Sequence, residues 1–136
     1  MLIREAGIIF NGVRLISTHC YKASKGRLES ISTNMFMNGL LTFAECLIAP
    51  IEYFENNNYT IVFKKGKLCD YFGTIRDLFA YLVMDRDIRL EKYLYKKITP
   101  VLEEVLKKFT SQYYGCKITE VTQFEPFKTT MDAIIY

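Results

Sequence analysis

The stretch from Met37 to Phe63 constrains the fold more than any other part of the sequence, because the end of a long amphipathic helix leads directly into two short strands. A strand pair joined by Asn11-Gly12 comes before it, and a further strand and more helix come after it. The predicted order is strand-strand-helix-strand-strand-strand-helix-helix, which fits few small folds. With 136 residues, the chain is the size of one domain, residues 1–136.

Five strands are predicted from hydrophobic patterns and from the turn residues between them. Their predicted bounds are 3–10, 13–20, 51–55, 59–64 and 77–84. The first and the last are apolar on both faces over most of their length, which is typical of strands covered on both sides. We therefore expect these two strands to lie side by side in the centre of the sheet. The residues from Lys64 to Asp70 are predicted to form a loop or a distorted continuation of the fourth strand.

The first predicted helix extends from about Arg27 to Ile48 and ends before Pro50. Its main apolar face consists of Phe36, Leu40, Phe43, Ala44 and Leu47. A second apolar stripe, formed by Leu28, Ile31 and Met35, lies roughly 90° or more away around the helix. This stripe either packs beneath a loop or the adjoining strand, or it forms a surface for a partner, since contiguous exposed apolar patches mark interaction sites.

Further helix is predicted in the last third of the chain. Apolar residues recur at helical spacing from Leu90 to Phe109, and Pro100 either begins a new helix or kinks a continuous one. The segment Thr122-Gln-Phe-Glu125 is a predicted capping box at the start of the last helix. The apolar face of that helix would consist of Phe127, Met131, Ile134 and Ile135.

The residues that carry chemistry do not form a recognisable catalytic or metal-binding motif. The four cysteines include no CxxC pair and His19 is the only histidine, so we expect no metal site and four reduced thiols. The segment Lys64-Lys65-Gly66-Lys67 lacks the spacing of a phosphate-binding loop. A net charge of +3 is too small to indicate a nucleic-acid-binding protein. We therefore expect a chain that is not an enzyme and has no cofactor.

The expected location is the cytoplasm. Arg4 and Glu5 interrupt the N-terminal apolar run, which argues against a signal peptide. The uncharged run from Asn34 to Ala44 is too short to span a bilayer. Any contact with a membrane is expected to be peripheral at most.

Five segments together resemble the longin domain, the profilin-like fold of adaptor-complex small subunits, longin-type vesicle proteins and transport-complex subunits. They are REAGIIFNGVRLIS for the opening hairpin, NGLLTFAECLIAPIEYFE for the first helix and third strand, YTIVFKKG and LFAYLVMDRD for the fourth and fifth strands, and FEPFKTTMDAIIY for the last helix. Among members of this family, the chain resembles the stand-alone longin-like proteins of archaea with eukaryote-like trafficking machinery. The segment from Leu68 to Arg76 is longer than the resemblance leads us to expect. We do not expect a membrane-fusion role, because no coiled coil and anchor follow the last helix.

The resemblance implies an α+β protein with the three-layer α/β/α longin fold. Its five-stranded antiparallel sheet would have the strand order 2-1-5-4-3, with one helix on one face and two on the other. The third strand would then lie at a sheet edge. Together with the stripe on the first helix, this edge gives the predicted interface residues Leu28, Ile31, Met35, Glu52 and Phe54.

The resemblance also implies a non-enzymatic platform that forms dimers and takes part in vesicle-trafficking complexes. The expected partner is a second copy or a related longin or roadblock subunit, and a small GTPase is a further candidate. Two alternatives stay open. One is a roadblock-type GTPase regulator, although such chains normally open with a helix. The other is a small-molecule-sensing α/β domain, which would need a cavity beneath the first helix.

Overall fold

The structure is a computed structural model that describes residues 3–10, 13–19, 39, 51–55, 59–86, 92 and 94–135. Within these ranges the protein has the predicted α+β class, with an antiparallel sheet and helices packed against it. The strands are β1 (Ile3–Phe10), β2 (Val13–His19), β3 (Ile51–Glu55), β4 (Tyr59–Cys69) and β5 (Ile75–Asp85). They pair in the order β2-β1-β5-β4-β3, and every neighbouring pair is antiparallel.

The centre of the sheet is formed by β1 and β5, which are hydrogen-bonded neighbours as the sequence predicts. From Ala6 to Phe10 every residue of β1 is buried, as expected for a strand covered on both faces. Gly7 lies in this centre, at a point where the atoms of the neighbouring strands leave no room for a side chain. A Cβ atom at Gly7 would lie 2.6 Å from the carbonyl oxygen of Ile16 and 2.6 Å from the ring of Tyr81. A larger residue at Gly7 would therefore push β1 away from the backbone of β2 and would displace the Tyr81 side chain of β5.

Strands β4 and β5 are longer than the sequence predicts. The pattern predicts that β4 ends near Lys64 and that β5 begins near Asp77, whereas β4 continues to Cys69 and β5 begins at Ile75. Of the two alternatives for the segment after Lys64, the structure shows a continuation of the strand. The sequence does not predict this continuation, because its charged side chains lack the apolar pattern of a buried strand. A ribbon of two strands with no further strand beside it needs no such pattern.

Gly39 is helical, and the helical elements with described bounds all follow β5 in the chain. A π-helical turn (Leu94–Ile98) leads into helix α1 (Thr99–Gln112), and a 3₁₀ turn (Val121–Phe124) precedes helix α2 (Phe127–Ile135). Ile98, at the junction, keeps right-handed helical angles, with φ −78° and ψ −50°. Pro100 lies in the first turn of α1, where its missing N–H removes one hydrogen bond from the preceding turn. The helical path is continuous from Leu94 to Gln112, and its winding changes from π to α between Ile98 and Thr99, just before Pro100.

The predicted capping box at Thr122 is wrong. The structure places the box two residues earlier, where Glu120 precedes the 3₁₀ turn and Gln123 occupies its third position. The Gln123 Oε1 atom accepts hydrogen bonds from the backbone N–H groups of Thr119 and Glu120, at 2.7 and 3.0 Å. Its Nε2 atom donates to the Lys117 carbonyl oxygen at 3.1 Å. Glutamine suits this position because its amide both accepts and donates.

Each face of the sheet carries a buried cluster. The first core cluster joins strand residues such as Ile8, Val62 and Leu82 to residues of α1 and α2. An aromatic group holds the two helices together, with ring centroids of Phe109 and Phe127 5.1 Å apart. The second core cluster lies on the opposite face and consists of Ile9, Ile61, Phe63, Tyr81 and Val83.

Candidate functional site

The predicted interface residues fall into two groups. Leu28, Ile31 and Met35 lie outside the described residues, as does the main apolar face of the first predicted helix. Glu52 and Phe54 lie in β3, which has the predicted bounds and is the last strand in the sheet order. The backbone therefore places these two positions at a sheet edge.

The edge strand β3 pairs on one side with β4, from Ile51 opposite Lys64 to Glu55 opposite Thr60. Within the described residues, no other strand pairs with β3. Tyr53 is 44% exposed on this strand. An edge strand presents N–H and C=O groups that can pair with another chain, so β3 is the first candidate interaction surface.

A second candidate surface is the projecting hairpin, which we define as residues 65–77. The pairing of β3 with β4 ends at Lys64, and the pairing of β1 with β5 ends at Leu78. Beyond these positions β4 and β5 pair only with each other among the described strands. The hairpin therefore extends beyond the other described strands as a two-stranded ribbon, whose base is held on α1 by Leu68, a buried member of the first core cluster.

The turn of the projecting hairpin is organised by Asp70. Its Oδ1 atom accepts hydrogen bonds from the backbone N–H groups of Phe72 and Thr74, both at 2.9 Å. Its Oδ2 atom accepts a hydrogen bond from Arg76 Nε at 2.8 Å. Gly73 completes the turn with φ +79°, a conformation that side-chain-bearing residues rarely adopt. A type I turn followed by such a glycine is a common three-residue hairpin connection.

The same contacts set the charge of Asp70. The hydrogen bond from Arg76 is the main reason that the pKa of Asp70 is lowered from its ordinary value of 3.8, and the backbone N–H groups of Thr74 and Phe72 act in the same direction. Each of these donors stabilises the carboxylate form. The turn therefore has an ionised Asp70 at neutral pH.

The turn carries an aromatic tip, which we define as Tyr71 and Phe72. These residues are 60% and 80% exposed, and their rings form an edge-to-face pair with centroids 5.3 Å apart. Ile75, on the adjoining strand, is 66% exposed. Large apolar side chains are seldom grouped on a protein surface without a contact to make.

The end of α1 lies beside the projecting hairpin. The backbone N–H of Gly115 donates a hydrogen bond of 2.9 Å to the carbonyl oxygen of Cys69. Lys117 Nζ lies 5.8 Å from the centroid of the Tyr71 ring, within the range of a cation–π contact. Tyr114, the neighbour of Gly115, is 73% exposed. These contacts place a fourth exposed apolar side chain and a cation at the same end of the molecule.

The charges of this region are unevenly paired. Asp70 pairs with Arg76, and Asp77 pairs with Lys65 at 3.2 Å. In the described part of the chain, Lys67 and Lys117 have no carboxylate partner. Lys67 lies directly opposite Asp77 in the strand pairing, whereas Lys117 lies over the Tyr71 ring at the aromatic tip.

No protein-family model, curated protein or solved structure matches the chain. Its function is therefore inferred from the fold and from the exposed surfaces.

A groove of about 720 Å³ lies along the outer side of α1. Its lining consists of Pro100, Glu103, Glu104, Lys107, Lys108, Ser111, Gln112 and Thr130. Nearly all of these side chains are exposed and polar, and Glu104 and Lys108 form an ion pair at 3.6 Å. Ligand pockets are normally concave and mostly apolar, so this groove is a solvated helix surface.

One buried polar contact lies on the face of the second core cluster. The hydroxyl of Tyr81 donates a hydrogen bond to the carboxylate of Glu5, which is 3% exposed. On the first face, Thr60 Oγ1 is buried without a hydrogen-bond partner. The Glu5–Tyr81 contact satisfies polar atoms within the sheet.

In residues 3–19, 51–86 and 92–135, apart from the gaps within them, no three histidine, cysteine or acidic side chains converge as metal ligands would. In the same residues, no helix has the length and apolar character needed to cross a bilayer.

Sequence reasoning missed the aromatic tip, although a signal for it exists. The segment Asp70-Tyr-Phe-Gly73 has aspartate at the first and glycine at the fourth position, as is typical of a type I turn. Treated as a turn, it would have placed Tyr71 and Phe72 at the exposed central positions.

Proposed function

We propose that the chain is a non-enzymatic protein-interaction module of the longin type, which pairs through strand β3 with a second copy or with a related longin or roadblock subunit. The single observation that carries this proposal is the place of β3 at the end of the sheet. Pairing through an edge strand supplies main-chain hydrogen bonds, and side chains beside it supply specificity.

The burial pattern supports the three-layer arrangement of the longin fold. Helices α1 and α2 pack on the first core cluster, and none of their residues contributes to the second. Phe63 and Tyr81 of the second core cluster are nevertheless fully buried. Because a fully buried apolar face needs a covering layer, we propose that the predicted helix from Arg27 to Ile48 lies on this face.

The strand alone is too short for a stable interface. A standard interface buries about 1,600 Å² in total, far more than one edge strand of five residues can provide. We propose that the stripe Leu28, Ile31 and Met35 supplies the remaining apolar area. Glu52 and Glu55 on β3 would limit indiscriminate edge pairing, since charges on an edge strand oppose aggregation.

Paired proline variants of β3 test the proposal. Neighbouring residues of an antiparallel strand direct their N–H groups to opposite sides. Tyr53→Pro and Phe54→Pro therefore remove N–H groups from opposite sides of β3. One variant loses a hydrogen bond to β4 and becomes less stable. The other loses only an outward N–H, and we expect it to keep its melting temperature while its association is lost. Size-exclusion chromatography with light scattering measures the association.

The stripe is tested by Ile31→Asp in the same assay. If the stripe faces a partner, the variant stays folded and becomes monomeric. A folded variant with unchanged association would remove the stripe from the interface. If the unmodified chain is monomeric at every concentration, self-pairing is contradicted, and pulldown against the host's longin subunits and small GTPases decides between the other partners.

A further inference from the structure

The projecting hairpin has a convex, apolar end. Tyr71 and Phe72 occupy the two central positions of the turn, which is the point of the ribbon farthest from the sheet. The turn is held by the Asp70 contacts, so the rings are presented on a defined support. A convex tip offers no groove in which an extended peptide could lie.

Cations surround this end of the molecule. Lys67 is exposed on β4, and Lys117 lies over the ring of Tyr71. The two carboxylates of the hairpin, Asp70 and Asp77, are both occupied by ion pairs. The four basic side chains Lys65, Lys67, Arg76 and Lys117 outnumber these two carboxylates, so this end of the molecule has an apolar tip and an excess of positive charge.

This arrangement is complementary to the interface of an anionic bilayer. Aromatic rings favour the headgroup level of a membrane, where one part of the ring meets acyl chains and another meets water. Lysines beside them are attracted to anionic headgroups. A bilayer is also deformable, so it can accommodate a convex tip that has no matching pocket.

We propose that the projecting hairpin is a peripheral membrane-contact site, which inserts its aromatic tip into the headgroup region of bilayers that contain anionic phospholipid. Lys67 and Lys117 contact the lipid phosphates and carboxylates, while Ile75 and Tyr114 extend the apolar contact. This site is separate from the β3 edge and does not depend on the proposed pairing.

Vesicle co-sedimentation with the full chain tests the site. Vesicles of phosphatidylcholine containing phosphatidylserine should bind the protein, and pure phosphatidylcholine vesicles should bind it far more weakly. Phe72→Ser should weaken binding by about ten-fold or more, because the apolar contact is lost. Each of Lys67→Gln and Lys117→Gln should weaken it by about five-fold. These residues are on the surface, so circular dichroism should show an unchanged fold.

Matched variants control for charge and for aromatic content. Tyr53→Ser removes an exposed aromatic ring from β3, and Lys92→Gln with Lys96→Gln removes two exposed cations near the start of the helical region. Both controls should bind anionic vesicles as the unmodified chain does.

Fluorescence measures insertion directly, because the chain contains no tryptophan. The emission of Phe72→Trp should shift to shorter wavelength on anionic vesicles, whereas that of Tyr53→Trp should not. The proposal is overturned if the unmodified chain does not bind anionic vesicles, which would leave the tip as a docking site for a protein. It is equally overturned if Phe72→Ser binds normally, or if the emission of Phe72→Trp stays constant while the protein binds.

Discussion

The backbone pairing of β4 with β5 is the same at both ends of the pair, but the side chains are buried at one end and mostly exposed at the other. At the sheet end, residues 60–63 and 80–84 are all buried between β1 and β3. At the other end, the projecting hairpin exposes most of its side chains. Strand pairing continues without a break from Tyr59 opposite Asp85 to Cys69 opposite Ile75. Burial is therefore set by what flanks the ribbon on each side, and pairing alone does not predict it.

The difference shows how one pair of strands supports two roles. The flanked end anchors the pair in both core clusters, through Val62 and Leu82 on one face and Phe63 and Tyr81 on the other. The projecting end gains its rigidity from that anchor and from local contacts at Asp70. The exposed residues of the projecting end can consequently change for binding without loss of the core, whereas Leu68, which is 1% exposed, belongs to the first core cluster.

The largest expected contrast is between two aromatic residues at the same end of α1. Phe109 is fully buried among the rings of Tyr113, Phe124 and Phe127, so Phe109→Ala should lower the free energy of unfolding by about 3–5 kcal/mol. Tyr114 is 73% exposed, and Tyr114→Ala should change the free energy of unfolding by less than about 0.5 kcal/mol. Urea unfolding of both variants measures the contrast, and comparable losses would contradict it.

A smaller effect is expected from the buried polar contact at the flanked end. Tyr81→Phe leaves the buried Glu5 carboxylate without the Tyr81 hydroxyl, which should cost about 1–3 kcal/mol of stability. Tyr53→Phe removes a hydroxyl from an exposed ring and serves as the control. Thermal unfolding compares the two variants. Equal melting temperatures would mean that the Glu5–Tyr81 hydrogen bond contributes nothing.

The smallest effect concerns the turn of the projecting hairpin and depends on pH. Because the pKa of Asp70 is lowered in the folded state, its stabilising contribution is complete above the ordinary value of 3.8 and is lost as the pH falls through the lower folded-state value. The melting temperature of Asp70→Asn should therefore lie below that of the unmodified chain at pH 7 and approach it in acid.

A second variant separates this effect from a general loss of negative charge. Asp77→Asn removes one ion pair, with Lys65, and no backbone hydrogen bond described for the turn. Its melting temperature should lie closer to that of the unmodified chain at pH 7 than that of Asp70→Asn does. A difference between Asp70→Asn and the unmodified chain that stayed constant from pH 7 into acid would show that the carboxylate charge is not what holds the turn.

The sequence predicts well the strands of the five-stranded part of the sheet and the buried faces of the last two helices. Strand β3 has the predicted bounds, and β1 and β5 are neighbours as their two-sided apolar patterns indicate. Phe109, Phe127 and Met131 are buried as their helical spacing predicts. These predictions succeed because burial on a fixed face leaves a periodic pattern in the sequence.

Elements that neighbouring strands do not flank are harder to predict. The extension of β4 carries Lys65 and Lys67, which match no strand pattern, although pairing with β5 holds it extended. The capping box begins at Glu120 and not at the predicted Thr122, because several residues near a turn can satisfy the same backbone groups. The aromatic tip was missed for a related reason, since exposed rings in a turn follow no periodicity.

Amide hydrogen exchange along β3, in protein kept monomeric by dilution, tests the proposed interaction edge most directly. An open edge predicts alternation from Ile51 to Glu55, with slow exchange where the N–H group faces β4 and fast exchange where it faces outward. At concentrations where light scattering shows association, the fast amides should become protected. Uniform protection of all five amides in the monomer would show that the edge is covered, and would contradict pairing through β3.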